Sequence, residues 1–163
     1  MRLSLSPGTE DGPNRIVHEL DDGSSLVWEL GDEEPAGALL SREVQLDDGD
    51  WLMRHDRVDF DPGGIAYRHT HPGPGIRYLL FGEITIDSEG EEHTHRPGEA
   101  WFERGSDPVL ATTSAEEPTA FVRVMLLPVE WAGKRTIKYV DPADADKPKT
   151  QRATIFVEQP VLR

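Results

Sequence analysis

Between Arg15 and Pro128 the chain is a succession of short apolar runs, each closed by a turn signal, and no run carries a 3.6-residue apolar stripe. Ile16 to Leu20 ends in Asp21-Asp22-Gly23, and Ser25 to Leu30 ends in Gly31-Asp32. Val44 to Leu46 and Trp51 to Met53 flank Asp47-Asp48-Gly49-Asp50. Arg57 to Asp61 alternates polar and apolar before Pro62-Gly63-Gly64 turns the chain. Ile76 to Ile86 is strand-like with Gly82 inside it, and Ser88-Glu89-Gly90 and Pro97-Gly98 are tight turns. Ala120 to Leu127 is a strongly apolar strand stopped by Pro128. Many short strands with a turn about every 8–12 residues predict an all-β domain, a barrel or a sandwich.

A length of 163 residues suits one domain with a hydrophobic core of its own. Residues 1–14, mostly Pro, Gly, Ser and charged or polar side chains, read as a flexible N-terminal arm. The strand pattern places the barrel over residues 15–128. Residues 129–163 form a C-terminal extension, with a polar loop or short helical turn over 141–149 and a late strand over Ala153 to Val157. No internal repeat is present.

Several functions are excluded early. There is no cysteine, which removes disulfides, thiol catalysis and cysteine-ligated clusters. A formal net charge of −14 argues against nucleic acid and against anionic membranes as partners. The first 14 residues lack the basic flank and apolar stretch of a secretory signal, and no run approaches 18 apolar residues. The expectation is a soluble cytoplasmic protein.

The chemistry concentrates in Gly63-Gly64-Ile65-Ala66-Tyr67-Arg68-His69-Thr70-His71-Pro72-Gly73-Pro74-Gly75. His69 and His71 stand at i and i+2 on a strand, so their imidazoles point the same way and reach one ion or one ligand. His93 and His95 repeat the spacing just before Pro97-Gly98. They either complete the first pair's site or are ordinary packed or solvated histidines. His18 and His55 are single. Aromatic residues on several strands, Tyr67 and Trp101 among them, suit a pocket for a small organic ligand.

This stretch resembles the first characteristic motif of the cupin superfamily: Gly, five residues, His, any, His, three or four residues, Glu, six residues, Gly. Gly63, His69, His71, position 75 and Gly82 fit that register. The resemblance implies a single cupin-type antiparallel β-barrel (a double-stranded β-helix, or jelly roll) with His69 and His71 facing inward. It also implies a homodimer, the strands between Arg15 and Leu30 needing a partner for their edges.

The departures are as informative as the match. The family's Glu, a metal ligand, is Gly75 here. In the second motif, counted from Gly98, the usual histidine position is Val109, or Pro108 if the register slips by one. Two imidazoles alone are a poor metal site, since three protein ligands and an open position are the usual arrangement. A 2-His-1-carboxylate set takes its acid from elsewhere, with Glu103 first in line and Asp107 and Glu99 behind it. In the cupin register Arg77 points inward with position 75; its planar fork either takes a carboxylate or phosphate of the ligand or forms a salt bridge to Glu103 or another acid at the barrel mouth. Gly75 is expected to free volume for a ligand.

The sequence therefore reads as a small-molecule-binding cupin with a pocket around His69, His71 and Arg77, lined by Tyr67 and Trp101, its ligand anionic and its metal binding weak or absent. The alternative is a metal-dependent cupin enzyme of dioxygenase or isomerase type, acting on a small organic acid or ring compound. It would hold a divalent metal (Fe, Zn, Mn or Ni) on His69, His71 and Glu103. No catalytic residue is assigned.

Overall fold

A computed structural model describes residues 1–163. In chain order the strands are β1 (Arg2–Pro7), β2 (Arg15–Glu19), β3 (Ser25–Gly31), β4 (Leu40–Glu43), β5 (Trp51–Phe60), β6 (Ile65–Thr70) and β7 (Gly75–Phe81). They continue as β8 (Ile84–Ser88), β9 (Glu91–His95), β10 (Ala100–Glu103), β11 (Val109–Thr113), β12 (Thr119–Pro128), β13 (Lys138–Tyr139) and β14 (Gln151–Pro160). The only helical pieces are 3-10 turns at Val129–Trp131 and Pro142–Asp146, the second capped by the Asp141 side chain. No helix is long and apolar enough to cross a membrane.

The fold is all-β and antiparallel, as the strand pattern predicts, and has the jelly-roll form that the Gly63-to-Gly82 resemblance implies. Two five-stranded sheets, in the orders β10-β7-β12-β5-β14 and β13-β6-β11-β8-β9, enclose the cavity. A third sheet, β2-β3-β1-β4, packs on the outer face of the first. Alternation of side chains along β7 explains the three layers. Ile76 points outward into a cluster with Leu3, Leu5, Trp28, Val122 and Val124, while Leu79 points inward to Val58, Ile86, Trp101 and Phe121.

The N-terminal segment differs from its expected loose state. Residues 2–7 form β1, an inner strand of the third sheet, and Leu3 and Leu5 are fully buried. Leu3-Ser4-Leu5-Ser6 alternates with the period of a strand, ahead of the Pro and Gly residues that begin at Pro7, and Ser4 and Ser6 on its other face are buried as well. Trp28 is fully buried in the same layer and donates its indole N–H to the Ile76 carbonyl at 3.1 Å. Within this sheet β3 is paired on both sides, by β2 and β1, while β2 is an edge strand paired with β3 alone. The apolar edge that stays open is β14, which pairs with β5 alone and exposes Ile155, Phe156 and Val157.

Candidate functional site

Between the two facing sheets lies a cavity of about 380 Å³. Strand register sets its character row by row. Across one inner wall, Arg77 on β7, Arg123 on β12 and Asp56 on β5 are direct neighbours, and Trp101 on β10 continues the row beyond Arg77. The adjoining row brings Arg54 and Glu103 to the same end. Toward the other end the rows become Val58 with Phe121, then Phe60. The opposite sheet repeats this grading, with His69 beside Val109 and Ala66 beside Ala111 and Ile86.

His69 and His71 come together as the i, i+2 spacing requires, ring centroids 4.9 Å apart and nearly perpendicular. His69 Nδ1 lies 2.7 Å from the Tyr67 carbonyl. A carbonyl only accepts, so Nδ1 carries the hydrogen and Nε2 the lone pair. His71 Nδ1 is 3.0 Å from the Thr136 hydroxyl. Burial lowers the pKa of both imidazoles, with Arg123 and Arg77 pushing the same way, and holds both neutral at pH 7.

Arg77 reaches the position expected of it, and its guanidinium is sealed in. Nη1 donates to the Gly75 carbonyl at 2.8 Å, and Nη2 lies 2.9 Å from Glu103 Oε2. That approach is off the direction of a well-formed hydrogen bond, so charge rather than direction holds the pair, and Nε has no partner. Burial lowers the Arg77 pKa to about 10 against the pull of Glu103, which leaves it cationic. Burial pushes Glu103 up, but Arg77, His69 and the Trp101 indole N–H (3.0 Å from Oε1) outweigh it, and its pKa is lowered.

The space beside Gly75 is not ligand volume. A Cβ there would stand 2.6 Å from the Val124 carbonyl, 2.9 Å from Met125 Cγ and 3.1 Å from Arg77 Nη1. Glycine is required because β12 and the Arg77 guanidinium fill the place of a side chain. Gly82, the motif's last position, has φ of 83°, the left-handed turn that joins β7 to β8.

Tyr67 is placed outside the cavity, half-buried, with Lys147 Nζ 4.3 Å from its ring centroid. Strict alternation puts it in phase with His69, but the β6–β11 ladder shifts register, Val109 facing His69 and Ala111 facing Ala66. The extra β6 residue is a bulge that turns Ala66 inward instead. Trp101 is buried in the inner core beneath Glu103, stacked on His95 with centroids 4.6 Å apart. His93 and His95 face a separate depression of about 250 Å³.

Arg54, Asp56 and Arg123, absent from the sequence reading, are central. Arg123 donates Nε and Nη2 to the two oxygens of Asp56 at 2.6 and 3.1 Å, a bidentate pair that leaves Nη1 free of Asp56. Arg54 donates to Glu158 at 2.6 Å and to the Trp131 and Lys134 carbonyls at 2.5 and 2.7 Å. It thereby fixes the 131–137 segment over the charged end. The missed signal is a lone Arg inside the otherwise apolar run Ala120 to Leu127. A buried strand retains such a charge only beside a partner.

The donor set does not fit a resident metal ion. His69, His71 and Glu103 share the cavity, but no group of three His, Asp or Glu side chains converges as a metal requires. The Glu103 oxygens are taken by Arg77 and Trp101, and two guanidinium groups bias both imidazoles against a cation.

Residues 56–124 match the family model of the cupin domain. No curated protein matches the chain. Among solved structures it is similar to an RmlC-like cupin from Shewanella frigidimarina (18% identity, TM-score 0.41, 45% of this chain and 65% of that one). It is also similar to the polyketide cyclase RemF from Streptomyces resistomycificus (19%, 0.44, 57% and 62%) and to a cupin-like protein from Thermotoga maritima (16%, 0.45, 56% and 69%). The chain spans less than two thirds of the length of the first two. At this level of similarity no activity carries over.

Proposed function

We propose that this chain, which belongs to the cupin superfamily, binds a small organic anion in the cavity around His69, His71 and Arg77, without dependence on a metal ion. One observation carries the reading. In a protein of net charge −14, the cavity wall holds Arg54, Arg77, Arg123, Lys134 and Arg135 against only Asp56 and Glu103. Even with Glu158 offsetting Arg54, the wall stays cationic.

Arg123 offers Nη1, and Arg77 supplies positive charge behind it with Nε unpartnered. Of the two neutral imidazoles only His71, whose Nδ1 can accept from the Thr136 hydroxyl, can turn an Nε2–H towards a bound anion; the Nε2 lone pair of His69 cannot donate to one. The metal-enzyme alternative needs Glu103 to leave both Arg77 and Trp101 before it ligates. That release would strand a buried guanidinium.

The test is calorimetric titration of wild type and Arg77→Lys with small carboxylates, after dialysis against chelator. The unpartnered Nε–H of Arg77 is the donor left for the anion, lysine has no counterpart to it, and a charge-assisted contact contributes about 1.5–3 kcal/mol, so Arg77→Lys is expected to weaken binding by about tenfold or more. Equal affinities would remove Arg77 from the site. Stoichiometric metal surviving the chelator, and lost in His69→Ala, would favour the alternative.

A further inference from the structure

We infer that the cavity selects monoanions carrying an apolar tail and rejects dianions of the same length. This rests on the anion-binding reading above and adds the class of molecule bound. The two ends of the cavity differ in kind. All of its charge lies at the end where Arg77, Arg123 and Asp56 form one row and the 133–137 segment crosses. The other end is walled by Val58, Phe60, Phe121, Ala66, Ala111 and Ile86. Asp56 and Phe60 are four residues apart on β5, roughly 13 Å at about 3.3 Å per residue. That separation leaves a tail well away from the charged row.

Gln151 is the polar side chain of the apolar end, and its buried Oε1 is an unpartnered acceptor. The amide is neutral, so even with its NH2 turned towards a second carboxylate it hydrogen-bonds that charge without neutralising it. A dianion therefore leaves one charge desolvated among apolar side chains, whatever its other group does with the guanidinium ions. A monoanion places its single charge at Arg123 and transfers its tail out of water. The direction of insertion is fixed by the same grading: the tail goes in first and the head stays under Lys134 and Arg135, which remain solvent-exposed.

The test is calorimetric titration of the metal-free protein with butanoate, hexanoate and octanoate, and with adipate and suberate as the matching dianions. Affinity is expected to rise about fourfold per methylene until the apolar end is full. Adipate is expected to bind at least about a hundredfold more weakly than hexanoate, and suberate likewise against octanoate. Ala66→Leu, which fills part of the apolar end, should move the break in the series to shorter acids. Dianions binding as tightly as monoanions, or a series flat in chain length, would overturn the inference and leave the anion reading standing. No binding by any member would overturn both. The wild-type series is decisive alone if Ala66→Leu fails to fold.

Discussion

Arg77 and Glu103 form an ion pair 2.9 Å apart inside the jelly roll, with the two side chains 1% and 9% exposed. The pair exists because Gly75, directly opposite Glu103 in the β7–β10 ladder, has no side chain to compete for the space. Desolvating two charges offsets much of their attraction, so such a pair contributes little net stability while making each partner indispensable to the other.

A double-mutant cycle reads that relationship. Glu103→Leu and Arg77→Met each leave one buried charge uncompensated and are expected to cost about 3–5 kcal/mol in urea unfolding. The combined Arg77→Met, Glu103→Leu protein is expected to lose far less than the sum of its parts. Additive costs would mean the two groups are not energetically a pair.

His55, buried beside the half-buried His18, sets an acid limit. His55 Nδ1 is 2.9 Å from the Arg123 carbonyl, which only accepts, so His55 Nε2 is the acceptor for His18 Nδ1 at 3.0 Å. Burial lowers the His55 pKa to about 4. The folded state therefore binds fewer protons than the unfolded state between about pH 6.5 and 4, and unfolding becomes easier as pH falls through that window. This group is expected to remove on the order of 3 kcal/mol across it and nothing further below it. His55→Gln should flatten that part of the stability profile relative to wild type. Parallel profiles would exclude His55 as the source.

Much of this architecture is legible in the sequence, and the differences have physical causes. The strand succession and the Gly63-to-Gly82 spacing specify the fold, and alternation places Arg77 correctly because β7 runs unbroken from Gly75 past it. Tyr67 was misplaced because one bulge in β6 shifts the phase, and a bulge leaves no mark that period-2 counting detects. The volume expected at Gly75 was wrong because glycine there marks close approach of β12 and not emptiness. Arg54, Asp56 and Arg123 escaped notice because their partners are on neighbouring strands, 67 residues away for Asp56 and Arg123.

The open β14 edge gives an expectation about assembly. Antiparallel pairing of two copies about Ile155 would set Arg152 of each opposite Glu158 of the other and cover the exposed Ile155, Phe156 and Val157. We expect a dimer by light scattering, converted to monomer by Phe156→Lys. A monomer mass for wild type at high concentration would refute the pairing.

The central claim is that the cavity recognises negative charge, and its most direct test is hexanoate against hexanamide, which differ in charge and little in shape. Titrated into the metal-free protein at low salt, the acid is expected to bind at least about tenfold more tightly, with the gap narrowing as salt is raised. Equal affinities for acid and amide would contradict the account, because the cationic wall would then have no part in what the cavity holds.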